Sequence, residues 1–258
     1  MSVTHGGSRS FTQRLKARET LFGTFIKVPT THTTELVASV GYDFVVIDQE
    51  HAPFDRHAID TIILAGRANN LPTLVRVGDA SASNILGVLD CGAAGVLVPH
   101  VDSVDKAMQI AAACRYRAGG RGFSRTGRAG GYGAAGVLEH ITRQDDEVLC
   151  IAMIEDPAAI ERIEAIASVD GIDAIFIGRA DLSIAMGEIT TSAPRVVEAV
   201  GIIAAGTRKS GKLLLTVAES VADRETMSAI GASSFLIGSD LAFLRRGAKQ
   251  SLAEHTGQ

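Results

Sequence analysis

The strongest constraint on the fold is an alternation along the chain between short apolar, β-rich runs and longer segments with helical spacing. Eight runs are predicted as strands, each followed by a helix: Gly23–Val28, Phe44–Asp48, Thr73–Val77, Gly95–Pro99, Leu149–Ile154, Ala174–Gly178, Leu213–Val217 and Ser233–Ile237. Most of them are apolar on both faces, which is typical of parallel strands covered by helices. Eight βα units in about 250 residues predict an α/β protein, a (β/α)8 TIM barrel formed by 1–258 as a single domain.

A doubly wound open sheet obeys the same alternation and is the alternative. The barrel is favoured because no glycine-rich phosphate turn follows the first strand. One insertion stands out after the fourth unit, where Arg115–Gly136 carries eight glycines and five arginines. We expect it to form a long loop over one face of the barrel. Its Arg121, Arg125 and Arg128 either meet an anionic substrate or make subunit contacts.

Composition excludes several classes of protein. The formal net charge of −4 argues against nucleic-acid binding, which needs a basic face. No apolar run approaches the roughly 18 residues that span a bilayer, and the polar segment Met1–Ser10 lacks the apolar core of a secretory signal. Three isolated cysteines predict reduced thiols and a cytoplasmic location. With only 5% aromatic residues and no Trp, the core is expected to consist of Ala, Val, Ile and Leu.

The active site of a barrel lies at the carboxyl ends of its strands, so the polar residues that follow each run are the candidate site. Acids, two histidines and two arginines converge there: Asp48, Glu50, His51, Arg76, Asp79, His100, Glu155, Asp156, Arg179, Asp181, Glu219 and Asp240. Glu155 and Asp181 follow adjacent strands, so their carboxylates could share one Mg²⁺- or Mn²⁺-like cation. The alternative is that each is a solvated loop acid or a helix cap.

Three further side chains have two interpretations each. His51 is either a surface histidine or a proton-transfer group whose basicity is raised by a neighbouring carboxylate. Arg76 emerges from an apolar strand and either grips a carboxylate or enolate oxygen or forms a salt bridge with Asp79 or Glu50. His100 is interpreted as structural or peripheral.

In its motifs the chain resembles the HpcH/HpaI aldolase/citrate lyase family, the class II pyruvate aldolases. The resemblance extends from Phe11 to Arg246 and is carried jointly by Val46–Pro53, Leu74–Val77, Leu89–Gly92, Gly95–Val101, Met153–Glu155 and Phe176–Ser183. It implies a barrel that is usually a homohexamer, a trimer of dimers, with the last helix exchanged between subunits. It also implies reversible cleavage of 4-hydroxy-2-oxo acids to pyruvate and an aldehyde.

The resemblance implies roles for individual residues. Glu155 and Asp181 would bind a divalent cation (Mg²⁺, Mn²⁺ or Co²⁺), with His51 as general base and Arg76 steadying the developing negative charge. Asp90 would raise the basicity of the histidine. Yet Asp90 ends a helix that leads into a strand, which places it at the wrong face of its own barrel, so the histidine it serves would belong to a neighbouring subunit.

Substrate contacts are implied at Gly178, Ala180 and Asp181, the last two through the backbone. Two departures from the family pattern concern this part of the site. Met153 stands where heptanedioate aldolases have a Gln that touches substrate, and Arg179 replaces the commoner Pro of Gly-Pro-Ala-Asp. Arg179 would add a cationic contact or point to solvent.

Two other functions compete with the aldolase. One is a lyase acting on a CoA thioester, as in the citrate lyase branch, for which the arginine-rich insertion could bind the CoA phosphates. The other is a non-catalytic barrel that binds a small acid. The motif around His51 resembles the aldolase branch and favours the aldolase.

Overall fold

The computed structural model describes residues 9–117 and 119–257, and they form a closed barrel of eight parallel strands that pair in chain order. Parallel pairing of the first and last strands closes the sheet, which confirms the predicted fold and excludes the open doubly wound sheet. The strands are β1 (Leu21–Ile26), β2 (Phe44–Asp48), β3 (Thr73–Arg76), β4 (Gly95–Val98), β5 (Leu149–Ile154), β6 (Ala174–Ile177), β7 (Leu213–Val217) and β8 (Ser234–Ser239).

Helices follow every strand and cover the outside of the barrel. They are α1 (Phe11–Lys16), α2 (Thr31–Ser39), α3 (Arg56–Ala68), α4 (Ala82–Asp90), α5 (Val104–Cys114), α6 (Val137–Glu147), α7 (Pro157–Ile160), α8 (Ile163–Ala167), α9 (Arg179–Ala185), α10 (Pro194–Lys209), α11 (Val221–Ala229) and α12 (Asp240–Thr256). A short 3₁₀ helix occupies Arg128–Gly133. No helix among the described residues combines the length and apolar character needed to cross a bilayer.

Alternate residues of each strand face two different cores. Outward residues such as Val45, Val75 and Ile175 pack against the helices, whereas inward residues such as Val46 and Leu74 fill the barrel. The prediction of a core made only of Ala, Val, Ile and Leu is wrong for the interior, where the large cross-section is filled partly by phenylalanines: Phe11, Phe25, Phe44 and Phe176.

The helix α1 closes the amino-terminal end of the barrel. Phe11 and Leu15 point into the barrel interior, and the Phe11 ring lies 5.2 Å from the Phe44 ring, centroid to centroid. Ser10 caps this helix through a hydrogen bond from the backbone N–H of Gln13. Because this end is plugged, the other end is the open one. Residues 1–8, which include most of the polar segment Met1–Ser10, lie outside the described residues.

The predicted strand bounds agree with the structure to within two residues at each end. The first strand ends at Ile26 rather than Val28, because the backbone N–H groups of Lys27 and Val28 donate to the carboxylate of Asp240 instead of to a neighbouring strand. The helical segment after β5 is interrupted between Ile160 and Ile163, giving α7 and α8.

The arginine-rich insertion lies at the amino-terminal end of the barrel, because it connects α5 to the start of β5. Its arginines bind groups of the same chain. Arg121 pairs with Asp90, Arg128 pairs with Asp60, and Arg125 donates to the carbonyl oxygens of Gly133 and Ala135. The expectation that these arginines meet a substrate is therefore not met within one subunit.

Helix α12 is the least covered helix of the barrel. Asp240 is its one buried residue, whereas Leu241, Leu244 and Leu252 are exposed. The exchange of this helix between subunits stays a prediction.

Candidate active site

The open end of the barrel, called the mouth here, is lined by the last inward-facing side chains of the strands. Strand alternation turns Asp48, Arg76 and Glu155 inward, above the apolar layer that contains Val46, Leu74 and Met153. These polar groups belong to β2, β3 and the residue after β5, while β6 contributes only Gly178 at the same level. The charged groups of the mouth therefore lie on the side of β2, β3 and β5.

A buried ion cluster organises the charged side. Asp48 is fully buried and accepts hydrogen bonds from Arg76 through Nε (2.9 Å) and Nη2 (2.8 Å). Lys27 Nζ lies 2.8 Å from the same carboxylate, and the Arg76 guanidinium stacks 4.8 Å from the centroid of the Phe25 ring. Two hydrogen bonds to Asp48 and the Phe25 ring thus hold the Arg76 guanidinium in one orientation.

The charge of Asp48 makes stability depend on pH. Burial raises its pKa, but hydrogen bonds from Arg76 and Lys27 outweigh burial and lower it to about 2. Since the folded-state pKa lies below the unfolded value, the stabilisation is complete above about pH 4 and is lost as pH falls toward 2, about 2 kcal/mol in all.

We expect the stability deficit of Asp48→Asn, measured by urea unfolding, to shrink by about that amount between pH 5 and pH 2. Wild type and variant are compared at each pH, so that the titration of other groups cancels. A deficit that stays constant over this range would contradict the assignment.

Glu50 connects this cluster to two histidines. Its Oε2 lies 3.2 Å from Arg76 Nη1 and 3.6 Å from His51 Nε2, and its Oε1 lies 3.7 Å from His100 Nε2. The His51 ring is about half exposed (52%), and its backbone N–H donates to Asp48 Oδ1. Asp48 thus holds the main chain of His51, and Glu50 is the carboxylate nearest to its ring.

His100 is part of the same group, which corrects its interpretation as structural or peripheral. Its Nδ1 lies 3.1 Å from Asp156 Oδ2 and 3.5 Å from Glu155 Oε1. Partial burial lowers the pKa of His100, but the hydrogen bond with Asp156 and the charges of Glu155, Asp156 and Glu50 raise it above its usual value overall. Its place as the first polar residue after β4 had already put it among the residues expected at this end of the barrel.

Glu155 is almost as buried as Asp48, with 2% of its surface exposed. Its Oε1 accepts the backbone N–H of His100 at 2.8 Å, while no donor among the described residues bonds its Oε2. Burial raises the pKa of Glu155 to about 7, helped by the charges of Asp181 and Glu50 and opposed by His100. A cation near Oε2 would counter that shift.

Gly178 makes room for the Glu155 side chain. A Cβ at this position would lie 2.6 Å from Glu155 Oε2, 2.9 Å from Glu155 Cβ and 2.6 Å from Met153 Cε. Met153 is buried beneath the site, with its methyl group against Gly178. Any side chain larger than hydrogen would therefore displace the carboxylate.

We expect Gly178→Ala to lower the affinity for a divalent cation at least about tenfold and to cost about 1–3 kcal/mol of folding free energy through overpacking. Calorimetric Mn²⁺ titration and thermal unfolding measure the two effects. Gly201→Ala is the matched control, because a Cβ there would meet nothing within 4 Å. Unchanged Mn²⁺ affinity in Gly178→Ala would show that Glu155 is not held by this close approach.

The residues after β6 lie beside this carboxylate. Ala180 and Asp181 are exposed in the first turn of α9, and the charge of Asp181 contributes to the raised pKa of Glu155. Neither expectation for Arg179 is met, because its buried guanidinium forms a bidentate ion pair with Asp223 and donates to the carbonyl of Val217. Arg179 therefore joins α9 to the loop after β7.

Asp90 lies at the other end of the barrel, as its position before β4 predicts. It ends α4, and its Oδ1 is 3.1 Å from Arg121 Nη2. The structure thus gathers Glu155, Arg76, His51 and the Met153–Gly178 pair at the mouth and leaves Asp90 away from them. The role of Asp90 toward a neighbouring subunit stays a prediction.

Three residues of the described part can hold a metal ion together. One ligand atom each from Glu50, His100 and Glu155 lies within 4.8 Å of the others. Sequence reasoning named Glu155 as a ligand, treated Glu50 as a neighbour of His51 or a salt-bridge partner of Arg76, and did not consider Lys27. The contacts of all these side chains cross between strands that are distant in sequence, which is why chain spacing did not reveal them.

A family model described as HpcH/HpaI aldolase/citrate lyase matches residues 21–246. The 4-hydroxy-2-oxovalerate aldolase of Rhodococcus jostii is 34% identical over 251 residues, which cover 95% of this chain and 93% of that protein. The 5-keto-4-deoxy-D-glucarate aldolase of Klebsiella pneumoniae is 31% identical and covers 95% of each chain.

Solved structures have the same architecture. The citrate synthase SbnG is 30% identical, with a TM-score of 0.87 over 96% of this chain and 98% of that chain. A HpcH/HpaI family protein from Burkholderia cenocepacia is 26% identical, with a TM-score of 0.89 over 96% of this chain and 100% of that chain.

Proposed function

The chain belongs to the HpcH/HpaI aldolase/citrate lyase family, and on that premise we propose that it is a divalent-metal-dependent aldolase. The reaction is the reversible cleavage of a 4-hydroxy-2-oxo acid to pyruvate, or a related 2-oxo acid, and an aldehyde. The named relatives are aldolases, so assignment as a carbon–carbon lyase follows from the family. The particular aldehyde depends on groups around the mouth.

The observation that carries the proposal is the buried carboxylate of Glu155 with its unbonded Oε2 at the mouth. A buried carboxylate is costly unless a cation or hydrogen-bond donors satisfy it. Oxygen ligands that open onto water or substrate suit Mg²⁺, Mn²⁺ or Co²⁺, so the donor set fits a divalent cation. Glu155 and Asp181 are the residues proposed to hold it. When bound, the cation supplies Lewis-acid stabilisation of the negative charge that develops on the 2-oxo group.

His51 is the residue proposed to move the proton. Its ring is about half exposed at the mouth, and Glu50 Oε2 lies 3.6 Å from its Nε2. In the cleavage direction that proton comes from the 4-hydroxyl group. In the reverse direction it comes from C3 of pyruvate.

Arg76 is proposed to stabilise the oxyanion. Its guanidinium is fixed by Asp48, Glu50 and the Phe25 ring, so it does not have to reorganise when negative charge develops nearby. The substrate carbons are proposed to lie over Met153 and Gly178, and the backbone of Ala180 and Asp181 is proposed to contact the substrate carboxylate.

The competing thioester lyase finds less support in the structure. The arginines considered for CoA phosphates, Arg121, Arg125 and Arg128, make contacts within the chain at the opposite end of the barrel from Glu155. The non-catalytic alternative is disfavoured because the relatives with names are enzymes. Cytoplasmic location and assembly as a homohexamer stay predictions.

Exchange of the C3 protons of pyruvate in D₂O tests the proposed function without knowledge of the aldehyde. We expect ¹H NMR to show exchange with Mg²⁺, Mn²⁺ or Co²⁺, no exchange in EDTA, and recovery when the cation is restored. Exchange that persists in EDTA, or that no cation supports, would refute a metal-dependent pyruvate aldolase. A rise in melting temperature with CoA but none with pyruvate would favour the thioester lyase.

A further inference from the structure

His100 has two features that its neighbours along the chain do not explain. Its backbone is in the left-handed region, with φ of 55°, which is uncommon for residues other than glycine and costs free energy. Its side chain is 55% exposed, so packing does not fix the residue in this conformation. The conformation is maintained by polar contacts, since its N–H donates to Glu155 Oε1 and its carbonyl accepts from Lys106 Nζ.

The imidazole is oriented as in a metal-binding histidine. Its Nδ1 lies 3.1 Å from Asp156 Oδ2, and Nε2 points toward Glu50 Oε1 at 3.7 Å, too far for a hydrogen bond. Histidines that bind metals commonly donate one ring N–H to a carboxylate, which leaves the other nitrogen free for the cation. Asp156 satisfies the first condition, and Nε2 faces the Glu50 carboxylate, while Glu155 Oε1 lies 3.5 Å from Nδ1.

The spacing of the group fits shared coordination. Two ligand atoms with bonds of about 2.1 Å to one cation lie about 3.0 Å apart at a right angle and about 3.6 Å apart at 120°. The Nε2–Oε1 separation of 3.7 Å is close to the second value, and ligand atoms of Glu50, His100 and Glu155 all lie within 4.8 Å of one another. Arg76 Nη1 pairs with Glu50 Oε2 at 3.2 Å, whereas no lysine or arginine among the described residues pairs with Glu155.

We propose that His100 Nε2 is a further protein ligand of the divalent cation that Glu155 and Asp181 are proposed to hold, with the Glu50 carboxylate beside it. This inference rests on the proposed metal dependence and adds a nitrogen donor to an otherwise oxygen-only site. Imidazole is a better ligand for Co²⁺ than for Mg²⁺, which prefers oxygen. His100 therefore biases the site toward Co²⁺ and away from Mg²⁺.

His100→Asn is the variant that tests this role, because Asn tolerates the left-handed backbone best among residues other than glycine. We expect Co²⁺ affinity, measured by calorimetry, to fall about 10- to 100-fold and Mg²⁺ affinity to change less than about threefold. Electron spin echo modulation of bound Mn²⁺ is expected to show coupling to ¹⁴N in the wild type and to lose it in the variant.

His51→Asn is the matched control, since His51 lies equally near Glu50 but has no contact with Glu155. It should keep the ¹⁴N coupling and the Co²⁺ affinity while losing pyruvate exchange. Asp156→Asn keeps His100 but weakens its orientation, so Co²⁺ affinity should fall about tenfold even if His100→Asn does not fold.

The proposal is overturned if Mn²⁺ bound to the wild type shows no ¹⁴N coupling, if the coupling survives in His100→Asn, or if the protein binds no divalent cation. These results are independent of pyruvate exchange. A protein with nitrogen-coordinated Mn²⁺ but no exchange would refute the aldolase function and leave the ligand assignment intact.

Discussion

Replacing Glu155 with Gln is expected to reduce metal-dependent pyruvate exchange at least about 1,000-fold, which corresponds to about 4 kcal/mol of lost stabilisation. Gln keeps the size and one carbonyl oxygen of Glu but removes the charge that holds a divalent cation. Mn²⁺ affinity should fall in parallel. The exchange rate by ¹H NMR and Mn²⁺ binding by calorimetry measure the two losses.

The same substitution should leave the metal-free fold at least as stable as the wild type at pH 8. Burial raises the pKa of Glu155 from 4.5 to about 7, so the folded state loses stability as the pH rises between these values, and the full penalty is present at pH 8. A neutral amide escapes this penalty. Glu155→Gln is therefore predicted to lose function and keep its melting temperature, which separates a functional acid from a structural one.

Glu219→Gln is the control, because Glu219 follows β7 at the same end of the barrel and its side chain is exposed. It should change neither exchange nor Mn²⁺ affinity by more than about twofold. Full metal-dependent exchange in Glu155→Gln would contradict the proposed metal site.

Replacing Arg76 with Met is expected to destabilise the protein by about 3–5 kcal/mol, because the buried Asp48 carboxylate loses its bidentate partner. Lys27 remains 2.8 Å from Asp48, so the loss should lie toward the lower end of this range. Urea unfolding measures it. Pyruvate exchange should also fall about 100- to 1,000-fold, since the group that stabilises the oxyanion is gone.

Arg76→Lys separates the two effects. It keeps the charge but cannot form the two-pronged contact with Asp48, so part of the stability should return while exchange stays low. Arg195→Met is the control for removal of an arginine, since Arg195 is exposed and its ion pair with Glu188 is long, at 3.6 Å. Its cost should not exceed about 0.5 kcal/mol. A stable Arg76→Met variant with normal pyruvate exchange would show that Arg76 is needed neither to stabilise the fold nor to stabilise the oxyanion.

Much of the site was predictable because a parallel barrel brings the carboxyl ends of all strands together. Glu155, Arg76 and His51 follow apolar strands, and that position alone predicted their place at the mouth. The same logic predicted that Asp90 lies at the other end. Gly178 was named through the family resemblance. Only the structure shows why a glycine is needed there: the side chains of Glu155 and Met153 occupy the space that a Cβ would fill.

Partner choice among charged groups was not predictable. One of the two interpretations of Arg76 was a salt bridge with Asp79 or Glu50. In the structure it pairs with Asp48 and Glu50, because Asp79 accepts the backbone N–H of Ser81. Arg179 was expected at the substrate or in solvent and instead binds Asp223, which lies 44 positions further along the chain. Hydrogen-bond partners a few ångströms apart in space leave no periodic signal in the sequence.

The sequence by itself determined the architecture and which end of it carries the chemistry, because apolar periodicity and strand order depend on local patterns that repeat along the chain. Only the tertiary structure decided which charged side chains at the mouth pair with one another. Asp48 is bound by Lys27 and Arg76, while Glu155 keeps one oxygen free beside His100. That division depends on burial and on distances between neighbouring strands, which exist only after the barrel has closed.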